Sequence, residues 1–414
     1  MTNDQIAKDP MFQQVLAQAK KAQATRRAVL AGSGAGALAV ALAACAKPGG
    51  AIKTLSPAMD LSDSEKVVVW DNWPYYMDGE ADQSFPSVKA FEKASGIKCD
   101  YNIVVNDNNE YFAKIKNSLA SGTDTGADTF CLTDWMAGRL IDAGYLQALQ
   151  YDLLPNVSAN LNPSFKGAFG TFDPGRKFSL TWKGIIAGIG YHKSNFKKLT
   201  GKDAPTSVED LWNPALKGKI SMLSEMRDTI GILMMADGVK IDSFTKNDFE
   251  KAMTTFSKYV GNGQIRQING NDYTQLFANG DVVAGVVWAG DIVSMQADNP
   301  ELDVVMLESG STFACDNYLI PMGAPHAKNA HELIDFFYQP EVAANLALSG
   351  VYYVTPVNGA QEIAAKTDTK LASNELIFPT DQTFATKLQL FRNLTPQEDN
   401  EFSKAWSDAS KGVV

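Results

Sequence analysis

From Lys66 onward the chain alternates short β-branched runs with stretches of helical periodicity, and this alternation restricts the fold more than any other feature. Lys66-Val67-Val68-Val69-Trp70 has the apolar character of a buried strand. Residues 86–95 place apolar side chains at helical spacing until Gly96 stops them. Ile97-Lys98-Cys99-Asp100-Tyr101 predicts a second strand, residues 109–120 an amphipathic helix, and Asp128-Thr129-Phe130-Cys131-Leu132 a third strand. Such an order indicates an α/β layer with a mostly parallel sheet. The pattern returns later: strand Lys219–Leu223 runs into a helix over Ser224–Met235, followed by a helix over 247–260 and a strand over Val282–Trp288. Short strands at Leu302–Leu307 and Tyr318–Pro321 and helices over 328–338 and 340–348 complete it. With 414 residues the chain is long for one compact unit, so two α/β lobes are expected.

The segment ahead of this body differs in character. Arg26 and Arg27 precede the run VLAGSGAGALAVALAA, which ends at Cys45. The run is shorter than the ~20 residues of a membrane-crossing helix and only weakly apolar, which suits a targeting segment. Paired arginines before such a run resemble a twin-arginine translocation signal, and Leu42-Ala43-Ala44-Cys45 resembles a lipobox whose cysteine is acylated. Residues 1–44 thus read as a twin-arginine lipoprotein signal peptide. Residues 45–65, small, polar and proline-containing, read as a lipid-anchored tether. A marginal membrane span is the competing reading. Either puts the body outside the cytoplasm, in the periplasm or on the outer face of the cytoplasmic membrane.

Charge and composition exclude several classes. The chain has 37 basic against 47 acidic side chains, and the excess grows once residues 1–44 are set aside. A nucleic-acid partner, which needs a basic face, is not expected. An acidic body suits cationic small solutes, although such an excess also serves simple solubility. His192, His326 and His331 have no metal-motif spacing and are expected to be ordinary surface residues. The glycine string Gly32–Gly36 lies in the leader, and Gly184–Gly190 reads as a bend or close packing rather than a nucleotide loop. Cys99, Cys131 and Cys315 lack close spacing and suggest no structural disulfide. No catalytic residue, metal or cofactor is assigned.

Several local patterns fall just beyond the carboxyl ends of predicted strands, where open α/β sheets bind ligands. They are Asp71-Asn72-Trp73-Pro74-Tyr75-Tyr76, Leu132-Thr133-Asp134-Trp135, Ser224-Glu225-Met226-Arg227-Asp228 and Val287-Trp288-Ala289-Gly290. With Cys315-Asp316-Asn317 and Tyr352-Tyr353-Val354-Thr355-Pro356, and in this order, they resemble the spermidine/putrescine-binding proteins of ABC importers from about residue 66 to about 360. The resemblance implies an α/β, two-lobed periplasmic-binding-protein-like fold of type II, with crossing hinge strands and a central cleft. It implies lobe I over 66–182 and 315–360 and lobe II over 183–314 and 361–414. It also implies a monomer that captures spermidine or putrescine and delivers it to permease subunits. Carried over, the aromatic site residues are Trp73, Tyr76, Trp135, Trp288 and Tyr353, the acidic ones Glu225, Asp228 and Asp316, and the hydroxyl Thr133. Three positions depart from the family: Tyr75 stands for an acid, Ala314 for a tryptophan, and Arg392 near a late glutamine. Asp134 is the candidate to replace the missing charge.

The chemistry agrees with the resemblance. Aromatic faces cover methylenes and attract cations at roughly 0.5–2 kcal/mol each, while spaced carboxylates select ammonium positions. Bland readings stand beside these: Ser224 as an N-cap with acids complementing the macrodipole, the tryptophans as core, and Asp134 as a turn stabiliser. A different organic cation, an amino-acid-like solute and a twin-arginine-exported enzyme are the rival functions.

Overall fold

The computed structural model describes residues 55–167 and 170–411. The twin-arginine segment and Cys45 lie outside them. Among the described residues no helix is long and apolar enough to cross a membrane.

Among the described residues ten strands join one sheet, numbered here in chain order. β1 (Val67–Asn72) pairs in parallel with β2 (Lys98–Ile103) and β3 (Thr129–Thr133), so the strand–helix alternation has its expected result. At the other side β5 (Ile220–Leu223) runs parallel to β6 (Ile265–Asn269) and β7 (Ala284–Trp288). Between these halves lie β4 (Ser179–His192) and β9 (Ser311–Leu319), antiparallel to each other. β8 (Leu302–Val305) edges β4, and β10 (Leu388–Leu390) edges β9.

The central pair crosses between the two halves. β4 pairs with β9 from Ser179 to Ile186, then with β7 from Ala187 to Tyr191. β9 starts beside β10 and ends beside β3, where Asp316 faces Thr133. The stretch Gly184–Gly190 is thus a strand interior. Every residue of β4 is buried, so no polar alternation marked it. Its glycines do serve close packing: a Cβ on Gly188 would lie 2.5 Å from the Val305 carbonyl oxygen.

Two apolar cores flank this crossing. In the first, Trp70 is fully buried, with the rings of Tyr101, Trp182, Tyr318 and Phe337 centred 5.0–5.3 Å away. Edge-on and tilted rings at that spacing add to the gain from burial. The second gathers Phe196, Ile220, Ile230, Phe256 and Phe277. Ala360, Ala364, Ile377 and Phe378 pack on the first core, whereas Leu388 and Phe402 pack on the second, so chain beyond residue 360 contributes to both. The histidines are not surface residues. His331 is fully buried and accepts the Gln150 N–H at 2.9 Å, His192 meets the Phe277 carbonyl, and His326 lies between Asp128 and Glu65. Cys99, Cys131 and Cys315 are buried thiols.

Candidate functional site

The strand-end patterns meet where the lobes face each other. Trp73 follows β1, and its indole N–H donates to the Cys131 carbonyl of β3 at 3.0 Å, which fixes the ring. Trp288 ends β7, and the two ring centroids are 6.0 Å apart at 75°. Tyr76 stands edge-on to Tyr353, centroids 4.4 Å apart. The turn carrying Tyr76 is held by Glu80, whose carboxylate accepts the backbone N–H groups of Tyr75, Tyr76 and Met77. Tyr75, standing where an acid was expected, sits at φ 63°. Burial raises the pKa of its hydroxyl, with Thr274 pulling the other way.

Three buried carboxylates surround these rings. Asp316 accepts the Tyr76 hydroxyl at 2.5 Å and the Thr133 hydroxyl at 2.6 Å. Asp228 accepts the Trp288 indole N–H at 2.9 Å and the Thr312 hydroxyl at 2.5 Å. Asp291 accepts the hydroxyls of Tyr273 and Tyr353 and the amide of Asn271. None has a lysine, arginine or histidine within 4.0 Å among the described residues. Burial therefore dominates: it pushes Asp316 up to about 7 and Asp291 up to about 6, and it raises Asp228. Neutral donors orient these groups without balancing their charge. A cation placed here would do so.

Asp291 escaped the sequence reading. Its only local signal was an acid directly after the Val287–Gly290 strand end, at the start of helix Ala289–Met295. Gly290 explains that motif physically, because a Cβ there would lie 2.8 Å from the Tyr353 ring. Without a side chain at 290, Tyr353 can reach Asp291.

Other expected site residues are placed differently. Asp134 accepts the Cys315 N–H at 2.9 Å and the Asn317 amide at 2.8 Å. Side chains alternate along a strand, so Asn317 and Asp316 point to opposite faces of β9. Asp134 thus ties down the reverse side of that strand, where its expected partner would have been an ammonium. Burial raises it to about 6 against the opposing pull of Arg176. Glu225, not Ser224, caps helix Met226–Ala236 by accepting the Arg227 N–H, while Ser224 donates to Asp107 across the lobes at 2.9 Å. Glu225 also accepts the Trp135 indole N–H at 2.9 Å. Arg227 stacks 4.1 Å from the centre of the Trp135 ring, with Arg139 4.9 Å from it. Burial pushes Glu225 up to about 7 despite Arg227. Arg392 pairs with Glu398 at 2.6 Å and donates to the Phe244 carbonyl.

A family profile described as bacterial extracellular solute-binding protein matches residues 87–375. The putrescine/agmatine-binding protein of Pseudomonas aeruginosa is 26% identical over 339 residues, covering 78% of this chain and 88% of that protein. The putrescine-binding periplasmic protein PotF of Escherichia coli is 24% identical, covering 85% and 93%. A solved structure, a putative spermidine/putrescine ABC transporter from Listeria monocytogenes, has a TM-score of 0.70 at 23% identity, covering 84% of this chain and 99% of that one. That likeness is one of fold, and it agrees with the two-lobed α/β architecture.

Proposed function

The chain belongs to the bacterial extracellular solute-binding proteins, and from that premise we propose that it captures a polyamine of the putrescine/spermidine class and delivers it to an ABC importer. The observation that carries this reading is the set of three buried carboxylates, Asp228, Asp291 and Asp316, held only by neutral donors around Trp73 and Trp288. A buried carboxylate with no cation is costly to ionise. An alkyl diamine meets that need with ammonium groups at its ends and methylenes against the indoles. Trp73, Tyr76, Thr133, Asp228, Trp288, Asp316 and Tyr353, with Asp291, form the proposed binding set. The names of the relatives support the same ligand class. Acylation of Cys45 and export through Arg26 and Arg27 belong to this reading, with permease subunits as the partner.

The test is a thermal-shift and tryptophan-fluorescence screen on protein freed of ligand by unfolding and refolding. Putrescine and spermidine should raise the melting temperature progressively with excess over Kd, and closure around Trp73 and Trp288 should change the emission. Silence in both assays, or a response to amino acids or sugars alone, rejects the polyamine reading.

A further inference from the structure

The strands that cross between the lobes bury an ammonium beside Asp316. Along β4 and β9 the register slips at Trp182, so that Thr181 faces Asn317 while Lys183 faces Asp316. A bulge of this kind sets two residues against one. Trp182 packs on Tyr318, ring centroids 5.1 Å apart, and the Lys183 Nζ lies 4.2 Å from the centre of the Trp182 ring. Tyr318 is two residues from Asp316 and shares its face of β9. The ammonium is therefore on the face of the sheet that bears Asp316, and residues paired across an antiparallel ladder have Cβ atoms only about 4.5–5.5 Å apart. Burial keeps the Cys131 thiol protonated, and Asp316 and Lys183 act on it with opposite signs, so one thiol lies within reach of both charges.

Lys183 is only 2% exposed, yet beyond the Trp182 ring its ammonium has no hydrogen bond or ion pair among the described residues. The groups around it supply none. Asp78, in the turn that carries Tyr76, is engaged by the Ser87 N–H and hydroxyl. Asp316 receives the Tyr76 and Thr133 hydroxyls instead. Burial holds the Tyr76 and Tyr318 hydroxyls far above their ordinary value, so both stay neutral. Burial also pulls the lysine down to about 7, with Cys131 and Asp78 opposing it.

Resting on the polyamine reading, we propose that Lys183 is a competing cation built into the crossing strands: when protonated it opposes the ligand's ammonium at Asp316, and amine binding drives its proton into solvent. Two like charges at one buried carboxylate repel, and a lysine, unlike a guanidinium, is able to discharge. The cleft thus holds amine tightly where the lysine is neutral and loosely where it is charged. This acts in addition to protonation of the cleft carboxyls. Lys183 acts through Asp316 and need not touch the ligand.

Calorimetry with 1,4-diaminobutane on ligand-free protein, across a range of pH and in buffers of different ionisation heat, tests this. Lys183→Met, similar in length and without charge, should bind the diamine at least about twofold more tightly than the parent at about pH 6 and converge with it at about pH 8. It should also release fewer protons on binding near neutral pH, a count that a merely structural lysine would leave unchanged. Lys183→Arg, which keeps its charge throughout, should bind about tenfold or more weakly at about pH 8, where the parent's lysine is mostly neutral. A folded Lys183→Met protein with the parental affinity and proton count, or with weaker binding at every pH, overturns the inference while leaving polyamine binding intact. So does a Lys183→Arg protein that binds as tightly as the parent. Failure of the parent to bind the diamine at any pH overturns the polyamine reading and this inference with it.

Discussion

Among single residues, Asp316 and Asp134 separate the proposed binding role from a structural one. They lie on opposite faces of β9, and only Asp316 joins the rings. Asp316→Asn should lose roughly 2–5 kcal/mol of amine affinity, read by calorimetry, since a buried ammonium would lack its partner. Asp134→Asn should instead lower the melting temperature, by about 1–3 kcal/mol of stability, through weakened bonds to Cys315 and Asn317. Titration gives a second prediction. Bound ammonium groups need Asp316 and Asp291 ionised, and their pKa values of about 7 and about 6 mean that binding expels protons. Amine affinity should be full at about pH 8 and fall as pH drops through this range, by up to about tenfold per unit for each group. Calorimetry in buffers of different ionisation heat should register the released protons. Without ligand the sign reverses. A carboxyl whose folded pKa lies above its unfolded value keeps an extra proton in the folded state, so the stability these groups lend is present at low pH and lost as pH rises through 7.

Among elements, β4 and the turn after β7 carry the constraint. Gly290→Ala should push a methyl into the Tyr353 ring, costing about 1–3 kcal/mol of stability and weakening amine binding. A Gly290→Ala protein with parental melting temperature and affinity would show that the close approach is unimportant. The parallel units were legible in the sequence because β-branched strands and periodic helices each carry a distinct repeat: helix Pro86–Ser95 lies where the spacing predicts. β4 was not, because a strand covered on both faces has no repeat and its glycines mimic a loop. The site divided in the same way. Ring-bearing strand ends were visible as short motifs, and the resemblance ordered them. The occupant of Trp135 was not, because Arg227 lies far away in sequence and only folding brings its guanidinium to that indole. The one available hint was an arginine set between two acids in Glu225–Asp228.

At the scale of the molecule, the lobes meet through Trp73 and Trp288, Ser224 and Asp107, and Arg139 and Asp399. The proposed ligand capture at that junction and the proposed export of the chain call for separate tests. Replacing Arg26 and Arg27 by lysine should leave unprocessed precursor in the cytoplasm, and Cys45→Ala should release the body from the membrane. Export of the double variant at the parental level, detected by fractionation, counts against the twin-arginine signal. The crossing of β4 and β9 also bears on the order of folding. β3 cannot complete its pairing until β9 has been synthesised, and the Thr133–Asp316 bond joins residues 183 apart. Closing so long a stretch of chain before any contact rewards it is slow. The first lobe therefore has no autonomous folding route, and refolding should bring both lobes to completion together, late, when the central strands pair.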